Sequence, residues 1–127
     1  DAFACPDGLW TDARGVLWIQ TDMSTSAMGK GDLAKLGHNC MLASDPRTGD
    51  TRRFLTGPAG CEITGATATP DGRTMFINVQ HPGESPSERS EPAEPRRVSN
   101  WPDQNPAGRP RSATVVIRKN DGGVIGT

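Results

Sequence analysis

Two acidic residues, Asp7 and Glu62, are the candidates for chemistry in this 127-residue sequence. Asp7, in the string CPDG, stands directly before the first predicted strand, and Glu62, in the string GCEITG, stands at the corresponding corner before the strand predicted at 65–69. Cys5 and Glu62 are 57 residues apart, which is the period of the repeat described below. Hard cations such as Ca²⁺ require several oxygen ligands at about 2.3–2.6 Å. The two carboxylates therefore predict a metal site; the alternative is a turn-forming Asp7 before Gly8 and a solvated Glu62.

Other enzyme motifs are absent from the sequence. It contains no G-x-S-x-G nucleophile motif, no phosphate-binding glycine loop and no H-E-x-x-H zinc motif. With only His38 and His81, a histidine-rich zinc centre is not expected, and His81 is either directed into the site or a polar residue at a strand end. Of the three cysteines, which form no C-x-x-C pair, Cys40 and Cys61 are either soft ligands or small buried thiols. No catalytic residue is assigned.

Composition excludes two classes of protein. Fourteen Lys and Arg against fifteen Asp and Glu give a net charge of −1, without the basic excess typical of nucleic-acid binding. No stretch approaches the roughly 18 apolar residues of a membrane helix, so no membrane span is predicted. The 15 glycines and 11 prolines indicate many turns around a modest core.

Short strands between turn signals fill the sequence, and only residues 31–36 have the character of a helical turn. The strand segments are rich in β-branched and aromatic residues, as in VLWIQT and MFINV. An all-β protein is predicted, with strands at 8–12, 16–21, 40–44, 51–55, 65–69, 74–79, 113–118 and 123–126.

An internal repeat organises these strands. Gly8 and Gly65, like Gly15 and Gly72, are separated by 57 residues. Two four-stranded antiparallel blades, a fragment of a β-propeller, explain this order. The alternative, an eight-stranded sandwich, gives no reason for its halves to repeat. The predicted first and second blades are residues 1–60 and 61–127.

A long proline-rich insertion, residues 82–112, interrupts the second blade. Its cancelling charges and few apolar residues predict mobility over 84–97, with Trp101 docking the segment that follows. A closed propeller needs at least about four blades. The chain is therefore predicted to be part of a larger propeller, or to self-associate through its open blade edges.

Several longer strings, taken in order, resemble the C-terminal part of the PhoX-type bacterial alkaline phosphatases. They are CPDGLW, TDARGVLWIQTD, NCMLASDPRTGDTRRFLTGPAGCEITG, TPDGRTMFINVQHPGE, SNWPD and PRSATVVIRKNDGGVIG. PDG turns alone also occur in gluconolactonase-type propellers, so the specific part of the resemblance is the series GCE-x-TG, NVQHPGE and SNWPD.

The resemblance implies a periplasmic or secreted enzyme that hydrolyses phosphomonoesters at a central cluster of calcium and iron ions. It implies that Asp7 and Glu62 are calcium ligands, and that the remaining ligands, including the iron-binding cysteine, belong to an N-terminal region of the parent protein. The fragment alone is then expected to be inactive and to hold no complete cluster. Two alternatives stay open: a calcium-dependent lactonase-like propeller hydrolase, and a non-enzymatic scaffold or binding propeller.

Overall fold

Two antiparallel sheets make up the computed structural model, which describes residues 1–84, 93–105 and 107–127. The first sheet consists, in spatial order, of β1 (Pro6–Thr11), β2 (Leu17–Thr21), β3 (Cys40–Ser44) and β4 (Thr51–Thr56). The second consists of β5 (Glu62–Ala68), β6 (Met75–Gln80) and β7 (Ala113–Ile117). A single 3-10 turn, Gly31–Leu33, lies between β2 and β3. The all-β prediction is confirmed, and each sheet is a meander, the strand order of a propeller blade.

The described part of the second sheet has three strands where the sequence predicted four. Residues 123–126 form a turn instead of the eighth strand. Ile125 donates its N–H to the carbonyl of Gly72 (3.0 Å), and its own carbonyl accepts from Arg14 Nη2 (2.6 Å). The backbone of this segment thus bonds to the hairpin turns of both sheets and does not continue along β7. Gly126 has φ +80°, which also departs from an extended chain.

A β-bulge interrupts the first strand of each sheet near its N-terminal end. The pairing register of β1 shifts at Asp7, and that of β5 shifts at Gly65, which has φ +59°. At Gly8 a Cβ would overlap Oε1 of the buried Gln20 side chain. The first strands of the two sheets are therefore bent at similar places, beside Gly8 in one and at Gly65 in the other.

The hydrophobic core lies between the two sheets, where β5 contacts β1, β2 and β3. Its largest fully buried apolar side chains are Trp18, Met41, Ile63 and Met75, whereas the fully buried Leu42 belongs to a second cluster with Ile19 and Cys40. The ring of Trp18 meets Phe54 of β4 edge-on, with centroids 5.0 Å apart. The contacts of β5 with β1, β2 and β3 hold β5, and therefore Glu62, against the first sheet.

The proline-rich insertion is described in part. Trp101 packs against the core between the sheets, as predicted. Most of the segment 84–97, which was predicted to be mobile, lies outside the described residues. Across the described ranges, no helix is long and apolar enough to cross a membrane.

Candidate metal centre

Asp7 and Glu62 lie inside β1 and β5, and not before these strands as the sequence predicted. Both lie at the N-terminal end of the first strand of their sheet, and these two strands contact each other. In the second sheet, Glu62 pairs with Gln80 of β6. In the corresponding place of the first sheet, the N–H of Asp22 donates to the carbonyl of Cys5 at 3.0 Å. One rim of the molecule therefore carries Asp7, Asp22 and Glu62.

The Glu62 carboxylate is the buried member of this group. Only 8% of the residue is exposed, and its Oε2 accepts a 2.6 Å hydrogen bond from Gln80 Nε2. Burial, followed by the negative charge of Asp22, raises the pKa of Glu62; Asp7 acts in the same direction, and His81 opposes both. Burial and the neighbouring carboxylates thus outweigh His81 in disfavouring the ionised form of Glu62, and a cation bound here would favour that form.

His81 lies between two carboxylates and is half-buried. Its Nε2 is 3.5 Å from Glu62 Oε2, and its Nδ1 is 3.8 Å from Glu84 Oε2 and 3.3 Å from the carbonyl of Gly60. A left-handed backbone conformation (φ +36°), with the His81 N–H bonded to Ser112 Oγ at 3.0 Å, holds the ring there. Of the two interpretations of His81, the structure supports a place at the site.

Asp7 and Asp22 are exposed and act on Glu62 through charge. Among the residues that the structure describes, no group of three or more His, Cys, Asp or Glu side chains is placed to hold a metal ion by itself. The donors on this rim are mainly carboxylate oxygens, which fit calcium. The rim is suited to contribute ligands to a calcium site that other residues complete.

Cys61, although adjacent to Glu62, belongs to the core. Burial, and secondarily the charge of Glu62, raises the pKa of the Cys61 thiol to about 12. Its Sγ packs so tightly under Gly57 that a Cβ on that glycine would overlap it. The enclosed thiol supports the packing role for Cys61, and Cys40 is likewise buried.

Asp22 was missed by sequence reasoning, although a signal was present. It follows directly after the predicted strand 16–21, which pairs antiparallel with the strand that starts beside Asp7. The end of one such strand lies beside the start of the other. The polar residue after β2 must therefore share a rim with Asp7.

Comparisons with known proteins relate the chain to one family. The family model described as "Alkaline phosphatase PhoX" matches residues 1–83. A solved structure, "Pseudomonas fluorescens PhoX in complex with vanadate, a transition state analogue", is similar with a TM-score of 0.80 and 45% identity. The match covers 95% of this chain and 19% of that chain, so this chain spans about a fifth of that protein's length. Comparison with curated proteins gives no match.

Proposed function

Because the chain belongs to the PhoX alkaline phosphatase family, we propose that it is one part of a metal-dependent phosphomonoesterase. The active site would be completed by the rest of a longer protein, since the chain spans 19% of the similar solved structure. That relative is described in complex with vanadate as a transition-state analogue, which supports phosphoryl transfer as the chemistry here. The resemblance read from the sequence motifs and the family match agree.

The single observation that carries the proposal is the environment of Glu62. This carboxylate is 8% exposed, and its pKa is raised by burial and then by the negative charge of Asp22. Calcium would be held by Glu62 and Asp7, with Asp22 as a further oxygen donor at the same rim. Iron, if present in the parent protein, would take its ligands from elsewhere.

Bound cations supply positive charge that neutralises phosphate oxygens and stabilises the charge developing in the transition state. The residues of this chain perform the supporting work. Gln80 donates to Glu62 Oε2 at 2.6 Å and orients the carboxylate. The imidazole of His81, 3.5 Å from the same oxygen, bridges toward Glu84. Burial of Glu62 removes competing water from its oxygens.

The location and assembly of the parent protein follow from the same proposal. The family assignment supports a periplasmic or secreted enzyme acting on phosphomonoesters. Residues 1–60 and 61–127 would be two neighbouring propeller blades, whose open edges are sites for further blades or for self-association. The isolated chain would then be inactive, because two blades provide only part of the ligand set.

The test is an assay of the parent protein with p-nitrophenyl phosphate and with a lactone, each with added calcium and with EDTA. We expect calcium-dependent phosphatase turnover that Asp7→Ala and Glu62→Ala each reduce, together with calcium content, by about tenfold or more. Asp50→Ala, at an exposed carboxylate in the β3–β4 hairpin, is the matched control and should change neither.

Four results would contradict the proposal. Full activity and calcium content in both alanine variants would exclude the ligand assignment. Hydrolysis of the lactone alone would favour the lactonase-like alternative, and no hydrolysis of either substrate would favour a scaffold. Robust phosphatase turnover by residues 1–127 alone would exclude the need for other blades.

A further inference from the structure

Asn39, the residue before β3, has a fully engaged side-chain amide inside the molecule. It is 1% exposed. Its Oδ1 accepts from Thr21 Oγ1 at 2.9 Å and from the Met23 N–H at 2.6 Å. Its Nδ2 donates to the carbonyl of Met23 at 3.0 Å and to that of Cys61 at 2.9 Å. These four bonds use both donors and both acceptor sites of the amide.

The backbone groups that Asn39 binds adjoin the acidic residues of the rim. Met23 follows Asp22, and Cys61 precedes Glu62. The first lies just after β2 and the second just before β5, so one amide ties the two sheets together at this end. The Asn39 carbonyl also accepts the Gly57 N–H at 2.8 Å, which anchors the connection between the sheets.

The negative charges of Asp22 and Glu62, which belong to separate sheets, repel each other and require a restraint on the segments that carry them. A buried amide with fixed donors and acceptors provides that restraint, because any displacement of either backbone breaks a buried hydrogen bond. Asp at this position would keep the shape but lose both donors. Leu would fill the volume and satisfy none of the four partners.

We propose that Asn39 is a positioning residue of the metal centre, whose side chain fixes the spacing between the backbone segments that carry Asp22 and Glu62. This inference rests on the proposed function, since it concerns calcium binding at the same rim. Outer partners of a metal site typically contribute 10–100-fold to metal affinity. Asn39→Asp is therefore expected to weaken calcium binding by about 10–100-fold.

The experiment uses the full-length parent protein, dialysed against buffers of graded free calcium, with calcium content measured by mass spectrometry. Circular dichroism identifies a temperature at which every variant is folded. Asn39→Asp is compared with Asn39→Ser, which introduces no charge and has a side chain too short to reach the Cys61 carbonyl. Leu42→Ala is the matched control, because Leu42 is fully buried but belongs to the core on the other face of the first sheet.

The expected result is that both Asn39 variants require higher free calcium for half-saturation, whereas Leu42→Ala does not. Glu62→Gln and Asp7→Asn serve as references for loss of a ligand. If these references lose calcium and the Asn39 variants do not, the positioning role is wrong and the proposed function stands. If no variant loses calcium, the proposed function is itself wrong. An equal loss in Leu42→Ala, or failure of both Asn39 variants to fold, would assign Asn39 a purely structural role.

Discussion

Gly57→Ala should destabilise the junction beneath Glu62, and the cause should be one specific overlap. A Cβ at this position would overlap Cys61 Sγ and would lie 2.8 Å from Ile63 Cδ1 and 3.3 Å from the Asn39 carbonyl oxygen. Gly57 does not have a left-handed backbone, so the added methyl group meets neighbours but causes no φ strain. Overpacking of a tight core typically costs about 1–3 kcal/mol, and we expect this range for Gly57→Ala.

Cys61→Ala removes the sulfur that causes the overlap. Alone it should cost about 1 kcal/mol, from the lost burial of one small group and the small cavity left behind. In the double variant the new methyl group occupies space that the sulfur vacated. The double variant should therefore be more stable than the sum of the single effects predicts, with a coupling of about 1 kcal/mol or more.

The measurement is urea unfolding of the four proteins in the cycle, followed by tryptophan fluorescence, to which the fully buried Trp18 contributes. Equal m-values would show that the unfolded states are comparable. Effects of Gly57→Ala and Cys61→Ala that add within about 0.5 kcal/mol would refute the overlap as the cause. If Gly57→Ala does not destabilise the protein, the side chains around Gly57 can accommodate a methyl group, and the predicted overlap is wrong.

Three further predictions concern other parts of the chain. At pH 8 the exposed Cys5 should react with a thiol reagent, whereas the buried Cys61, with a pKa of about 12, should react only after unfolding. Mass spectrometry would locate the label, and labelling of Cys61 in the folded protein would contradict its burial. Burial raises the pKa of Asp12, but hydrogen bonds, led by that from Arg14, outweigh it and lower the pKa. The ionised Asp12 thus stabilises the fold at pH values above its unfolded pKa, and this contribution disappears as the pH falls through the folded pKa. In urea unfolding, Asp12→Asn should reduce the dependence of the free energy of unfolding on pH between about pH 5 and pH 2. Val116 on β7 is 54% exposed, so Val116→Lys should change the free energy of unfolding by less than about 0.5 kcal/mol. In sedimentation experiments the added charge should abolish any self-association through the β7 edge. Unchanged association would exclude this edge as the interface.

Local sequence features predicted most of the strands. Alternating apolar residues and turn-forming Asp, Gly and Pro act over a few positions, so segments such as 40–44 appear in the structure with the predicted bounds. The repeated glycines at positions 8 and 65 both lie in the first strand of their sheets. Asp7 and Glu62 were singled out because they stand two places apart near corresponding ends of the repeat.

The error at residues 123–126 has a different origin. Val124 and Ile125 have the composition of a strand, but a strand needs a partner edge, and hydrogen bonds to Gly72 and Arg14 compete for the same backbone groups. Those partners lie about 50 and 111 residues away along the chain. A local sequence pattern does not indicate whether these distant partners or a neighbouring strand will bind the backbone of residues 123–126.

The character of the candidate site also depends on tertiary structure. The sequence placed a carboxylate at position 62, but only the packing of β5 against the first sheet made it buried and raised its pKa. Asp22, His81 and Asn39 joined it through contacts between segments that are distant in sequence. Secondary structure follows from short-range propensity and periodicity, whereas burial, charge and hydrogen-bond partners depend on which distant surfaces exclude water together. The sequence by itself therefore determined most of the strands and the positions of Asp7 and Glu62 along them, and the tertiary structure decided the electrostatics of Glu62 and the residues that hold it.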